Sequence, residues 1–306
     1  MKARRVLVVG LGLIGGSLAL ALKQRKICLE VLGVSRSETT VEKALAKGVI
    51  DRGSTSLAAM LPALQAGDIV VIATPTLSVK NICEHLKDAV QQGVLITDVA
   101  SVKGSVVRDA ETVFGCLPEN FIPAHPIAGS EKSGVEAADS TLFVQHQVIL
   151  TPLPNANATA VQAVTAMWQA VGAALSSMSV AEHDNVLALT SHLPHMLAYT
   201  LVDTLAQRSQ QQEIFRYAAG GFRDFTRIAG SDPTMWHDIA LANRDALLNG
   251  LDDFEKHLLA LRQAIEQGNG NTLHDVFTRA KQARDRFSEM YADRQKKKHS
   301  NVEGNL

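Results

Sequence analysis

The sequence predicts an α/β protein in which an N-terminal Rossmann-type doubly wound sheet is followed by an all-helical domain. Two patterns predict it: short β-branched runs alternate with helical patterns up to residue 150, and helical periodicity is almost continuous from residue 181. We therefore expect the sheet domain over residues 1–153, the mostly helical domain over 154–293 and a disordered tail over 294–306.

A glycine-rich turn connects the first predicted strand, residues 6–9, to the first predicted helix, residues 18–22. Its spacing is G-x-G-x-x-G: the first glycine permits a tight turn, the second lets a pyrophosphate approach the backbone, and the third lets helix and strand pack closely. Exposed N–H groups at the start of the helix attract the same anion. The sequence therefore predicts a dinucleotide site with the cofactor-binding residues Gly10, Gly12, Leu13, Ile14 and Gly15.

The end of the second predicted strand, residues 30–34, indicates which dinucleotide fits. NAD-specific sites usually have an acidic residue there for the ribose hydroxyls, whereas this chain has Ser35 and Arg36. A guanidinium presents paired donors to a 2′-phosphate, and a serine hydroxyl adds another hydrogen bond. We predict a preference for NADP, with NAD as the alternative if Arg36 is only a solvated side chain at a strand end.

The remaining elements follow the same two patterns. Further strands are predicted at 68–73, 94–98, 121–123 and 147–150. One more helix–strand element, 158–171 and 174–178, precedes the helical region. The helices of that region are predicted at 181–207, 211–219, 234–267 and from about residue 272.

The composition is that of a globular enzyme rather than a nucleic-acid or membrane-surface protein. Of the 306 residues, 46% are hydrophobic and 20% are charged, and the net charge is −1, which argues against an acidic partner. Cys28, Cys83 and Cys116 lack paired spacing, so neither a disulfide framework nor a zinc site is expected and a reducing cytoplasm is the predicted setting. No signal peptide and no membrane-spanning run is expected.

Three segments bring polar residues to the carboxyl ends of predicted strands, where ligands bind in open α/β sheets. Thr74 and Pro75 are expected to wall the cofactor site. Ser101 follows the next strand, although a serine there is more often a helix cap. His125 follows a third strand, and an imidazole is the side chain best suited to accept a hydroxyl proton near neutral pH. We predict that His125 is the base in an alcohol oxidation.

The helical region offers candidates for substrate binding. His192 and His195 are spaced as neighbours on one helix face, but no third ligand follows at metal spacing, so no metal site is predicted. Arg227 lies in a glycine-flanked loop and could bind a substrate carboxylate with two hydrogen bonds. A structural salt bridge from Arg227 to Asp224 or Asp232 is the competing interpretation.

Five motifs, in this order, give the chain a resemblance to a known family: GLGLIGGS, TDVASVK, HPIAGSEKSG, SHLPH and GGFRDFTRIAGSDPTMW. Together they resemble the prephenate/arogenate (cyclohexadienyl) dehydrogenase family of tyrosine biosynthesis, from residue 6 to about residue 261. The resemblance implies oxidation of a ring hydroxyl by hydride transfer to NAD(P)+, with loss of the ring carboxylate as carbon dioxide. The implied product is 4-hydroxyphenylpyruvate from prephenate or tyrosine from arogenate.

The resemblance also implies roles for particular residues. His125 would accept the hydroxyl proton, and Ser101, which would also contact the cofactor, would orient its imidazole. Arg227 would bind a substrate carboxylate, and the rest of the substrate pocket would comprise His192, His195, Ser130, Glu131 and Trp236. Ser35 and Arg36 resemble the NADP-using arogenate type, whereas His195 and the pair at positions 131–132 resemble prephenate-accepting members. We expect prephenate activity, with arogenate as a second substrate.

Other interpretations remain open. An arogenate-specific NADP dehydrogenase is one, and a β-hydroxyacid dehydrogenase or imine reductase shares the predicted layout. The hydroxyacid enzymes place a catalytic lysine on the first helix of the second domain, where this chain has none near Ala181, His183 and Asn185. A binding module that senses NADP without turnover is the non-enzyme alternative, which the combination of His125, Ser101 and Arg227 disfavours.

The helical region is also predicted to be a dimerisation domain. Its helices have more apolar surface than one helix pair can bury. The apolar residues are Leu241, Leu247, Leu248, Leu251, Phe254, Leu258, Leu259 and Leu261. We therefore expect the protein to form a homodimer. The alternative is that these residues form only the domain's own core.

Overall fold

The computed structural model describes residues 3–129, 132–209 and 211–303. Two compact units, Met1–Leu247 and Leu248–Leu306, make up the chain. The first unit contains both sheets and all the candidate site residues that are described. The predicted domain boundaries at 153 and 293 stay predictions.

A five-stranded parallel sheet lies at the centre of the first unit, in the order β3-β2-β1-β4-β5. The strands are β1 (Arg5–Val9), β2 (Glu30–Val34), β3 (Arg52–Ser54), β4 (Ile69–Ile72) and β5 (Leu95–Asp98). From β1 the chain winds outwards to β3 and then crosses back to β4, so the strand order reverses between β1 and β4. Ligands bind beyond the carboxyl ends of the strands at such a reversal, which places the glycine-rich turn after β1 at the predicted position.

Helices cover both faces of this sheet. They are α1 (Leu13–Gln24), α2 (Glu38–Ala46), α3 (Val79–His85), α4 (Lys87–Gln91) and α5 (Lys103–Phe114). Val6 and Val8 of β1 pack into one hydrophobic core, and Leu7 and Val9 pack into the other. Because successive side chains of a strand point to opposite faces, a sheet with helices on both sides needs an apolar residue at every position. The predicted fold class is confirmed.

A separate three-stranded sheet contains β6 (Ala124–Pro126), β7 (Gln147–Leu150) and β8 (Ala174–Ser177), with α6 (Ala158–Ala170) between the last two strands. β6 is antiparallel to β7, and β7 is parallel to β8. The strand predicted at 121–123 is wrong by three residues: Phe121 makes only an isolated bridge to Ile96, and the ladder begins at Ala124. Apolar residues fill the buried connection, whereas the strand itself contains a histidine and a proline, which have weak β propensity.

The chain then becomes helical. The first unit continues with α7 (Val180–Leu187), a π-helix (Ala188–His192), α8 (Leu193–Ala206), α9 (Gln211–Arg216), α10 (Gly220–Thr226) and α11 (Pro233–Ala242). The single helix predicted at 234–267 is wrong, because it is interrupted at Asn243 between α11 and α12 (Arg244–Glu266). The Asn243 side chain donates to the backbone oxygen of Asp184 at 2.9 Å, so a tertiary contact occupies the break.

The second unit consists of the rest of α12 and of α13 (Gly270–Glu303). Large apolar side chains of these helices are exposed: Leu248, Phe254, Leu258, Leu259, Ile265, Phe277, Phe287, Met290 and Tyr291. Within the described ranges, no helix combines the length and apolarity needed to cross a bilayer.

Candidate active site

Local geometry requires glycine at two of the three positions in the turn after β1, and glycine at the other position leaves the backbone open. Gly10 has φ +103°, and a Cβ there would lie 2.3 Å from the backbone oxygen of Ala73. A Cβ at Gly15 would lie 2.0 Å from the backbone oxygen of Gly10. A Cβ at Gly12 would meet nothing within 4 Å. Gly10 and Gly15 therefore hold the turn against β4 and α1, and Gly12 leaves the start of α1 accessible.

The start of α1 fits a phosphate group. No side chain caps its first turn, and that turn has no acidic residue, so the N–H groups of Leu13 and Ile14 retain donor capacity for an anion. The Gly10 N–H donates to the backbone oxygen of Val34 at 2.8 Å, which fixes the end of β2 beside the turn. These residues would hold the pyrophosphate of a dinucleotide, as the glycine spacing predicts.

Ser35 and Arg36 follow directly at the end of β2. The Ser35 Oγ accepts from the Ser37 N–H at 3.4 Å, and the exposed Arg36 guanidinium forms no ion pair with any residue in the described ranges. At the end of β4, the Thr74 Oγ1 accepts from the Ser78 hydroxyl at 2.8 Å, and Pro75 leads into a short 3₁₀ turn. The predicted cofactor residues therefore lie beyond the carboxyl ends of four adjacent strands, β2, β1, β4 and β5, with Ser101 following β5.

A buried ion pair joins the end of β5 to β6. The Lys103 Nζ donates to the Asp98 carboxylate and, at 2.6 Å, to the backbone oxygen of Ala124. Both charged side chains are fully buried, and the Asp98 carboxylate also accepts from the Ala100 N–H at 2.9 Å. The pair fixes the residue that precedes His125 and the turn that contains Ser101.

His125 is the first member of a chain of three hydrogen-bonded side chains. Its Nδ1 lies 2.9 Å from the Nε2 of His183, and the Nδ1 of His183 lies 2.8 Å from the Asp184 Oδ1. Burial lowers the pKa of His125 well below 6.5, and the charge of Lys103 lowers it further. His125 is therefore neutral at physiological pH and able to accept a proton. In the described part of the chain, no hydrogen bond joins Ser101 to His125.

Sequence reasoning missed His183 and Asp184 as site residues. The Asp184 carboxylate accepts from the backbone N–H groups of Lys103 at 2.8 Å and Gly104 at 2.7 Å. Those two groups are the first donors of α5, so Asp184 caps a helix from a position 80 residues away in the chain. An N-cap is normally recognised from the residue just before the helix, and no local signal in the sequence connects α7 to α5.

His192, His195 and Trp236 form an aromatic cluster between the π-helix, α8 and α11. The His195 ring stacks on Trp236 with centroids 3.6 Å apart, and the His192 ring meets the same indole edge-to-face at 6.1 Å. Burial lowers the pKa of His192 to about 4, so its imidazole is neutral. The Asn243 Nδ2 donates to the His192 Nδ1 at 3.1 Å, which leaves the proton on Nε2.

Two buried donors of this cluster lack a partner within the described ranges: His192 Nε2 and Trp236 Nε1. A buried donor without an acceptor costs free energy, and a bound ligand with an oxygen acceptor would satisfy it. Both residues were predicted to bind substrate. The two other predicted pocket residues on the loop after β6, Ser130 and Glu131, lie outside the described residues.

Arg227 is exposed at the start of a 3₁₀ turn, Arg227–Gly230. The competing salt bridges are not formed: Asp224 pairs with Arg223 at 3.2 Å, and Asp232 accepts from the N–H groups of residues 234 and 235 at the start of α11. Burial lowers the pKa of His195, and the Arg227 charge contributes in the same direction. The 3₁₀ turn that begins at Arg227 packs against α8, the helix that contains His195. The Arg227 donors are thus available to an anion beside that helix.

Two family models match successive parts of the chain. The model of the prephenate dehydrogenase nucleotide-binding domain matches residues 18–177, and that of the prephenate dehydrogenase dimerization domain matches residues 179–279. A cyclohexadienyl dehydrogenase of Zymomonas mobilis is 37% identical, over 92% of this chain and 95% of its own. A prephenate dehydrogenase of Bacillus subtilis is 38% identical, over 92% of this chain and 75% of its own.

Solved structures show the same similarity. The crystal structure of prephenate dehydrogenase from Aquifex aeolicus, in complex with hydroxyphenyl propionate and NAD+, matches with a TM-score of 0.85 and 36% identity, over 93% of this chain and 98% of its own. Synechocystis arogenate dehydrogenase matches with a TM-score of 0.75 and 29% identity, over 92% of this chain and 99% of its own. The chain therefore belongs to the prephenate dehydrogenase family of NAD(P)-dependent oxidoreductases.

Proposed function

We propose that this protein oxidatively decarboxylates prephenate, accepts arogenate as a second substrate, and prefers NADP+ to NAD+. The observation that supports it most directly is a neutral, buried His125 within β6, with its Nδ1 hydrogen-bonded and its pKa held below the usual value. Such an imidazole can accept a hydroxyl proton across the physiological pH range. The family membership and the glycine turn supply the other half of the proposal, a dinucleotide that accepts hydride.

His125 accepts the proton of the substrate ring hydroxyl: the O–H bond breaks and an N–H bond forms on the imidazole. A nicotinamide dinucleotide, which Gly10, Gly12 and the start of α1 would hold, would supply the acceptor for the hydride of the carbon that bears this hydroxyl. The C–C bond to the ring carboxylate then breaks, carbon dioxide leaves, and the electron pair of that bond completes the aromatic ring and passes to the ring oxygen, which takes the proton back from His125 and becomes the phenol hydroxyl. Ser101 holds the same hydroxyl, and Arg227 with the aromatic cluster binds the carboxylate of the side chain.

The initial rate of reduced-cofactor formation tests this proposal, measured with prephenate and with arogenate, each paired with NAD+ and with NADP+. We expect the highest kcat/KM for prephenate with NADP+, and a lower but measurable rate with arogenate. Absence of turnover in all four combinations, from protein that still binds NADP+, would contradict the proposed reaction.

Replacing Arg227 by alanine should chiefly weaken substrate binding. A charge-assisted bidentate hydrogen bond contributes about 1.5–3 kcal/mol, so we expect KM for prephenate to rise by about ten- to hundredfold, with a smaller change in kcat. The matched control is Arg223→Ala, which removes an equally exposed arginine that is paired with Asp224. Steady-state kinetics should show no comparable change for the control, and an unchanged KM in Arg227→Ala would remove the guanidinium from the substrate site.

Reversing the charge at Arg36 should move the cofactor preference towards NAD+. In Arg36→Asp, the carboxylate would repel the 2′-phosphate, and we expect the ratio of kcat/KM for NADP+ to that for NAD+ to fall by about tenfold or more. Lys47→Asp is the matched control, because it reverses an exposed charge at the other end of α2. If both variants keep the wild-type ratio, Arg36 does not contact the phosphate.

We also propose that the protein acts as a homodimer in the cytoplasm. The family model that matches residues 179–279 is that of a dimerization domain, and α12 and α13 expose large apolar side chains. Exposed apolar patches of this kind are typical of subunit interfaces. Three free thiols, on Cys28, Cys83 and Cys116, support the reducing compartment.

A further inference from the structure

The Asp184 carboxylate can only accept hydrogen bonds. It faces three donors: the backbone N–H groups of Lys103 and Gly104 and the Nδ1 of His183. Burial raises the pKa of Asp184, but the hydrogen bond from His183 and those from the two backbone groups outweigh it, so the pKa lies below its usual value. An ionised carboxylate accepts only, and therefore the proton in the 2.8 Å contact with His183 belongs to the imidazole Nδ1.

This assignment determines the tautomer of the next imidazole. An imidazole with a single ring proton, on Nδ1, presents Nε2 as an acceptor. The atom 2.9 Å away is the Nδ1 of His125, which must then be the donor. A neutral His125 with its proton on Nδ1 has an unprotonated Nε2. Through two hydrogen bonds in series, the Asp184 carboxylate thus makes Nε2 the acceptor atom of the His125 ring.

We propose that His183 and Asp184 are positioning residues that fix the tautomer of His125, so that Nε2 is the atom that accepts the substrate proton. The inference rests on the proposed role of His125 as the base. When Nε2 gains the proton, Nδ1 keeps its own, and the charge of the imidazolium is offset by Asp184 through the second imidazole. No proton needs to leave His125 during the step.

The surroundings of the pair favour this role over simple packing. The His183 side chain is fully buried, and both of its ring nitrogens are used, one on His125 and one on Asp184. A Cβ at Gly104 would lie 2.6 Å from the Asp184 Oδ2, so the carboxylate approaches the start of α5 closely. Within the described ranges, the His183 side chain makes no other hydrogen bond, and a residue present only to fill this space would need no acceptor at Nε2.

The tautomer can be measured directly. Wild-type protein with 15N-labelled histidine, studied by two-bond proton–nitrogen correlation near pH 7.5, reports which ring nitrogen carries the proton, and the signals missing from His125→Asn identify those of His125. We expect a protonated Nδ1 and an unprotonated Nε2 on His125. A proton on Nε2 of neutral His125 would overturn the inference, whatever the activity of any variant.

The kinetic test uses two substitutions at one position. His183→Leu removes the acceptor for the His125 Nδ1–H, whereas His183→Gln keeps an oxygen acceptor on a side chain of similar reach. We expect kcat to fall by about a hundredfold or more in His183→Leu, with KM and the Kd for NADP+ changed less than about threefold. In His183→Gln we expect kcat within about tenfold of wild type. A kcat in His183→Leu within twofold of wild type would overturn the inference.

The proposed base and the proposed positioning role can be contradicted separately. If His125→Asn keeps normal turnover, the proposed base is wrong. If His125→Asn is inactive but the wild-type tautomer has its proton on Nε2, the base is right and only the positioning role of His183 and Asp184 is wrong. The tautomer measurement also decides the inference if His183→Leu fails to fold.

Discussion

His125→Asn is expected to lose turnover almost completely while it keeps its affinity for NADP+. Asparagine can preserve a donor near the position of Nδ1, 2.9 Å from the Nε2 of His183, but it offers no basic atom to the substrate hydroxyl. Removing a positioned general base costs a factor of about 10²–10⁴ in rate, and because hydride transfer is coupled to this proton transfer we expect the upper part of that range. Steady-state assays measure kcat, and fluorescence titration measures the affinity for NADP+.

His146→Asn is the matched control for this substitution. His146 is exposed beside β7, and its replacement should leave kcat unchanged. A His125→Asn variant with more than about a tenth of wild-type kcat would exclude His125 as the base.

The pH dependence of the wild type gives an independent check. His125 works unprotonated, and its pKa lies well below 6.5 because of burial and the charge of Lys103. As pH falls, kcat/KM should therefore stay near its plateau through pH 6.5 and decline only at more acidic pH. A decline centred at or above pH 6.5 would show an imidazole that the protein has not perturbed.

The second large effect is expected on stability. Lys103→Met would leave the Asp98 carboxylate buried without a counter-ion and would remove the donor to the Ala124 oxygen. Breaking a buried ion pair by removing one partner typically costs about 3–5 kcal/mol. We expect a loss of that size in the free energy of unfolding, measured by urea denaturation at a fixed protein concentration.

Two further variants test whether burial of the ion pair causes that loss of stability. In Lys103→Met combined with Asp98→Asn, the amide oxygen can still accept from the Ala100 N–H and no charge remains, so part of the stability should return. Lys281→Met breaks an exposed pair with Asp285 and should cost less than about 1 kcal/mol. Equal losses in Lys103→Met and Lys281→Met would mean that burial does not govern the Asp98–Lys103 pair.

The parts of the fold with a local signal could be predicted from the sequence. The turn after β1 needs glycines at fixed spacing, and the structure shows backbone contacts that forbid a side chain at Gly10 and Gly15. After a polar first residue, each of β1, β2 and β7 contains only apolar residues or glycine, and these are buried. The positions of these strands along the chain can therefore be predicted without knowledge of the tertiary structure.

The parts that depend on distant residues could not be predicted in this way. Asp184 acts on the start of α5 from within α7. Asn243 ends α11, and its side chain contacts Asp184 and His192. The partners of both side chains are distant in the chain, so the neighbouring sequence does not indicate them. The strand containing His125 is stabilised by its ladder with β7 rather than by its own propensity. Ser101 and Arg227 were chosen from motifs, and their roles stay predictions.

The π-helix at Ala188–His192 changes how the helical run from α7 to α8 faces the site. Nine residues of regular α-helix make about two and a half turns, which would place His183 and His192 on opposite sides of one rod. A π turn holds more residues than an α turn and therefore rotates less per residue, which brings the two imidazoles round towards each other. The length of the segment between the two histidines is thus under geometric constraint, and a single insertion or deletion there would misalign the site even if every side chain were retained.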